Sequence, residues 1–233
     1  MRTVIALTVL VLAPGSLAQT VYSQGPGDIV GFGFYSSSVS RPTRNYKHAD
    51  DFTLAADAAV STITWRGMSE GAQHPDLRNV NRFRIDIYSA SAVVGGDVPG
   101  ALLKTQTFSL AQTAPTLTGR TAFDTGAFEY SHAVTLSTPF NASGGVKYFL
   151  AISVTPFNTS NDAWMWQDGQ FVNGASALLN LSSTQWAVFN DTDSCFSLGV
   201  PAPAAASMLG LGLILTLRRR RGPELHRAGL SPV

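Results

Sequence analysis

The chain has 233 residues, 45% of them hydrophobic, with 16 Lys+Arg, 15 Asp+Glu and a single cysteine, Cys195. One cysteine excludes an intramolecular disulfide and a cysteine metal cluster. The net charge of +1 hides an uneven distribution: residues 19–199 carry ten Lys+Arg against fourteen Asp+Glu, net −4, so the body has no electrostatic footprint for nucleic acid.

In chain order, Met1–Ala18 comes first. Arg2 is followed by the apolar run Val4–Leu12, then Pro14-Gly15 and Ser16-Leu17-Ala18. A positive start, an apolar middle and small residues at −3 and −1 are the order of a secretory signal peptide. Cleavage by signal peptidase is expected after Ala18. A retained anchor is the alternative, against which the apolar run is short.

Residues 19–199 are expected to form one domain, large enough to bury a sizeable core. They read as β throughout. Val60–Arg66 alternates, with Ile63 and Trp65 on one face and Thr62, Thr64 and Arg66 on the other. Asn81–Tyr88 does the same, with Phe83, Ile85 and Ile87 inward and Arg82, Arg84 and Asp86 outward. Gly31–Tyr35 and Asp51–Leu54 precede these runs. Leu102–Leu110, Gly119–Phe123, Phe128–Leu136, Lys147–Val154, Ala163–Gln167, Ser176–Leu181, Gln185–Phe189 and Ser194–Leu198 follow. Turn signals lie at Gly95-Gly96-Asp97, Pro99-Gly100, Gly144-Gly145, Asp168-Gly169 and Asn173-Gly174. Many short strands with Gly/Pro turns predict an all-β, two-sheet, jelly-roll-like sandwich.

The C-terminal stretch changes character. Val200-Pro201-Ala202-Pro203 leads into Ala204–Leu217, which carries no charge, and then into Arg218, Arg219, Arg220 and Arg221. Fourteen residues of helix reach about 21 Å, short of a bilayer core of about 30 Å. Counted from Val200 the run approaches the length of a spanning helix. Arginines after an apolar run mark the cytoplasmic side, and Gly222–Val233 would form a short cytoplasmic tail. A buried C-terminal helix is the alternative, but it would set four arginines against a core. No Leu-Pro-x-Thr-Gly sortase signal occurs, and a lipid-anchor signal would end on its apolar tail. A permanent membrane anchor remains open beside a processed one.

The body has no Gly-x-Ser-x-Gly elbow and no His-Glu-x-x-His motif, although His48, His74 and His132 lie near serines and aspartates. Its glutamates, Glu70 and Glu129, sit in no motif, so the reading is non-enzymatic. No cofactor is required. Calcium is a candidate, because Asp191-Thr-Asp193, with Asn190 beside it, and Asp50-Asp51 offer the oxygen ligands that hard cations take. Turn and strand-end aspartates are the plainer account. Trp164 and Trp166 share a strand face. They pack between the sheets or, on an open face, stack on sugars. Cys195, in an alternating apolar run, reads as a small buried hydrophobe.

Val200–Pro203, the apolar run and Arg218–Arg221 together resemble a PEP-CTERM sorting signal, whose three parts are a Pro-Glu-Pro-like motif, a transmembrane stretch and an arginine cluster. Ala202 stands where glutamate is usual, and Gly222–Val233 extends past the arginines. The body pieces Ala49–Leu54, Ile63–Trp65, Phe83–Tyr88 and Pro99-Gly100 resemble secreted β-sandwich proteins that often carry this tail. The resemblance implies a Gram-negative bacterium, handling by an exosortase and association with exopolysaccharide. The chain would then be anchored transiently in the inner membrane before reaching the cell surface or the medium. Two functions compete: a non-enzymatic surface or matrix protein, and a secreted carbohydrate-active hydrolase on a jelly-roll scaffold.

Overall fold

The computed structural model describes residues 18–27, 33–37, 46–69, 77, 80–121, 126–156, 164–169, 175–183, 185–190 and 192–201. The signal-peptide expectation up to Leu17, the tail from Ala202 on, and Glu70, His74 and Asp191 lie outside the described residues.

Thirteen strands and one 3-10 turn make up the described elements. The strands are β1 (Gln19–Gln24), β2 (Gly33–Tyr35), β3 (Tyr46–Thr53), β4 (Ala58–Ser69), β5 (Val80–Val93), β6 (Gly96–Ser109), β7 (Thr116–Thr121), β8 (Phe128–Ala142), β9 (Lys147–Pro156), β10 (Trp164–Gln167), β11 (Ala175–Asn180), β12 (Trp186–Asn190) and β13 (Phe196–Val200). The 3-10 turn, Leu110–Thr113, is capped by the Ser109 side chain, which accepts from the Gln112 N–H. No helix among the described residues is long and apolar enough to cross a membrane.

The strands form two antiparallel sheets. One has the order β12-β11-β3-β9-β5-β6. In the other, β7 pairs with β8 and β8 with β4. Along its other edge β4 takes β13 at residues 62–65 and β10 at residues 67–69. β1 then extends β13, and β2 extends β10. The alternation expected for β4 and β5 holds. Ile63, Trp65, Phe83, Ile85 and Ile87 all point into the core between the sheets, joined by Phe52, Leu150, Trp166 and Phe196. Trp65 lies edge-on to Phe83 and stacks on His132. Gly67 makes room for this packing, because a Cβ there would sit 2.4 Å from the Trp164 ring.

A second, smaller core covers the opposite face of the six-stranded sheet. It holds Ala49, Val98, Phe149, Ala151 and Ala177, with Tyr88, Trp186 and Val188 packed against them. The long β5–β6 hairpin turns at Gly95, whose φ of 98° suits glycine. It reaches back over the sheet until a Cβ on Gly96 would lie 3.2 Å from Val188. Two expectations are corrected by this hairpin. Asp86 does lie on the face opposite Ile85 and Ile87, but it is fully buried there instead of solvated. Pro99-Gly100 is no turn; it runs inside β6, opposite bulges in β5 at residues 87–90. Proline is tolerated because β6 is an edge strand. β1 forms the sheet edge beyond β13, and its burial does not alternate from residue to residue.

Candidate functional site

Buried charge marks the places where this domain departs from a plain apolar sandwich. On the covered face of the six-stranded sheet, Lys47 of β3 pairs with Asp86 of β5 and donates to the Tyr88 hydroxyl at 2.8 Å. Arg84 donates to the other Asp86 oxygen at 2.9 Å. Burial pushes the Asp86 carboxyl up, but the Lys47 charge and hydrogen bond outweigh it and hold the group below its ordinary value. On the outer face of the other sheet, the buried Glu129 carboxylate accepts from Arg66 at 3.1 Å, and Arg120 lies 3.7 Å away. Glu129 is thus committed to two guanidinium groups. Beside it a cleft of about 250 Å³ is lined by Ser23, Gln24, Thr64, Arg66, Ser131 and Ser197. Ser23 and Ser197 share a hydrogen bond across the β1–β13 ladder.

The densest collection of carboxylates lies at one end of the sandwich. Asp50 and Asp51 of β3 meet Asp193 from the segment before β13, and all three are buried. Each offers an oxygen within 4.8 Å of the others. Asp50 accepts from the Ser194 and Asp51 backbone N–H groups. Burial pushes its carboxyl well above the ordinary range, helped by the Asp193 and Asp51 charges and opposed by the Ser194 N–H. Lys147 lies 3.3 Å from Asp51 and 2.9 Å from Asp97. Tyr22 and Gln24 of β1 face the same space. The Tyr22 hydroxyl donates to the Asp51 carbonyl oxygen at 3.4 Å, and burial followed by the Asp50 charge pushes its own titration upward. Oxygen donors of this kind suit a hard cation.

The candidates read from sequence are placed as follows. Asp193 does join a carboxylate cluster, but its described partners are Asp50 and Asp51, two pairs the sequence kept apart. Trp164 and Trp166 are 2% and 0% exposed, within the core between the sheets. Neither ring offers a face to solvent, so the sugar-stacking alternative is corrected to packing: both follow the inward side of β10. The Trp166 Nε1–H donates to the Cys195 carbonyl oxygen at 3.0 Å. Cys195 is buried, and burial pushes its thiol up to about 12, which makes it inert as a nucleophile. Val200 closes β13 and Pro201 is the last described residue, so Ala202, Pro203 and Arg218–Arg221 lie outside. Gln24, Ser194 and Lys147 were not singled out in the sequence, since nothing local marks them.

Residues 20–205 match a domain of unknown function, DUF7901. The chain belongs to the DUF7901 family. The DUF7901 region takes in every described strand but the first residue of β1, and it ends just past Pro203. No curated protein matches the chain.

Proposed function

We propose that this DUF7901 protein is an exported, non-enzymatic surface or matrix protein: a jelly-roll-like body released from the inner membrane by an exosortase. The single observation that carries the reading is the order of the C-terminal residues. Pro201 and Pro203 precede an uncharged run, Ala204–Leu217, and Arg218–Arg221 follow it. The compact body, Ala18–Pro201, ends where that motif starts. The apolar run stops in the membrane during export. The arginines resist translocation, at roughly 2.5–3.5 kcal/mol each at a bilayer centre. Proline holds the residue before it extended, which leaves a strand-like segment that a protease can grip. Connections that pass from sheet to sheet between β3 and β4, β4 and β5, β6 and β7, and β8 and β9 support the jelly-roll description. Exopolysaccharide is the proposed partner. The cleft lined by Ser23, Thr64, Arg66, Ser131 and Ser197 supports that choice, since hydroxyls and a guanidinium edge hydrogen-bond sugar hydroxyls.

Mass spectrometry of the exported protein tests the sorting step. A body ending near residues 200–203, free of the membrane, is the expected result. Intact Arg218–Val233 on soluble extracellular protein would overturn the sorting reading. Intact tail found in membranes alone would replace it with a permanent anchor.

A further inference from the structure

We propose that Asp50, Asp51 and Asp193 bind a calcium ion that ties β3 to the segment entering β13 at one end of the sandwich. The site stands on the body alone, whatever becomes of the tail. Two observations point to it. First, the three buried carboxylates present oxygens within 4.8 Å of one another. Calcium–oxygen distances of about 2.3–2.6 Å allow two ligands of one ion to lie up to roughly 5 Å apart. Asp50, fully buried, has no cationic side chain paired with it among the described residues, and an uncompensated buried carboxylate is costly.

The Gln24 amide, 1% exposed, borders the cluster: its NH2 donates to Asp50 Oδ2 at 2.9 Å and to the Ser194 carbonyl oxygen at 2.8 Å, and its oxygen accepts from the Tyr22 hydroxyl at 3.0 Å. Second, the Ser194 hydroxyl is completely buried and has no hydrogen-bond partner. Ser194 sits two residues before Phe196, which points into the core, and it bridges Asp168, two residues after the inward Trp166. Strand alternation therefore puts the Ser194 hydroxyl on the inward side, where Asp50 Oδ2 accepts from its backbone N–H.

The donors are three carboxylates with the Ser194 hydroxyl beside them, and no histidine or thiol is in the group. That favours a hard cation over zinc or copper. The irregular set drawn from two separate segments suits calcium's flexible shell of six to eight ligands better than magnesium's octahedron.

The test uses the full chain in mild detergent, stripped with a chelator. Terbium is the probe for calcium, with Tyr22 as the antenna. Sensitised emission that calcium displaces and magnesium does not, together with a melting temperature that rises with calcium, is the expected result. Asp193→Asn should weaken calcium binding at least tenfold. Asp57→Asn, an exposed aspartate between β3 and β4 that is not in the cluster, should leave it unchanged. Absence of terbium emission and of any calcium-dependent melting shift up to about 10 mM, ten times the weakest affinities of extracellular calcium modules, would overturn the site. Equal calcium binding by wild type and Asp193→Asn would overturn it as well.

Discussion

His132 should make this domain sensitive to mild acid. Its ring is 1% exposed, stacked on Trp65 and tilted against Phe83. The Thr113 hydroxyl donates to the Leu110 carbonyl oxygen at 2.8 Å. The 3.2 Å contact between that hydroxyl and Nδ1 is therefore one in which Nδ1–H donates. Nε2 is left as the basic nitrogen, buried and without a partner, and any acid proton must go there. Burial pushes the His132 titration from 6.5 down to about 3. The folded value lies below the unfolded one, so the stabilisation is complete above pH 6.5 and drains as pH falls towards 3. In that window the unfolded chain carries a proton that the native state refuses, at about 1.4 kcal/mol per pH unit. Acidification from pH 6.5, where the unfolded ring is half protonated, to 4.5 should remove on the order of 2 kcal/mol through this one ring. The assay is urea unfolding of the body across that range, for wild type and His132→Phe. Phenylalanine keeps the aromatic stack and removes the titration, while every other ionisable group is common to both proteins. The wild-type stability should fall more steeply by one proton's worth. Curves that stay parallel within about 0.5 kcal/mol would refute the reasoning.

Trp65→Ala empties a large inward site between Phe83 and His132 and should cost about 3–5 kcal/mol in unfolding free energy; a loss under about 1 kcal/mol by urea titration would show that the ring is not wedged between them. Glu129→Gln removes the charge that Arg66 and Arg120 share while keeping the shape, and should cost on the order of 2 kcal/mol, with the largest part at low salt. A melting temperature unchanged at any salt concentration would mean that the two arginines are satisfied by water.

Strand positions could be read in this chain wherever one face meets the core and the other meets water. β4 and β5 alternate for that reason, and the inward assignments of Ile63, Trp65, Phe83, Ile85 and Ile87 follow from period alone. The same rule misled at Asp86. Alternation reports which side of a sheet a residue is on, and says nothing of whether that side is covered. Here the β5–β6 hairpin covers it, and Lys47, thirty-nine residues away, supplies the counter-charge. Pro99-Gly100 misled for a related reason: a turn dipeptide lying in an edge strand opposite a bulge looks no different in sequence from one at a turn. The carboxylate cluster was half visible. Asp50-Asp51 and Asp193 each stood out as oxygen-rich spots, but their meeting depends on β11 lying beside β3 and on β13 returning to β1, pairings that only the tertiary fold establishes.

The two most buried aspartates divide the question of what this domain needs from outside itself. Asp86 is compensated from within: Lys47 and Arg84 each occupy one of its oxygens, and Tyr88 closes the remaining approach. Such a group keeps its charge with partners that the fold itself supplies. Asp50 faces the interior with backbone N–H groups and two further carboxylates, and it pairs with no described cation. Backbone donors lessen the cost of a buried charge but do not cancel it, so this end of the sandwich is completed by a proton, the Gln24 amide or a metal ion. The proton and the amide are always at hand in water. The metal ion is not, and its arrival would make the stability of the Gln24–Asp50–Asp193 end depend on the medium. A domain without disulfides could then be looser where calcium is scarce and firmer where it is abundant. Melting the body at fixed pH in chelator and in calcium separates these cases, because neither a proton nor an amide hydrogen bond responds to calcium concentration.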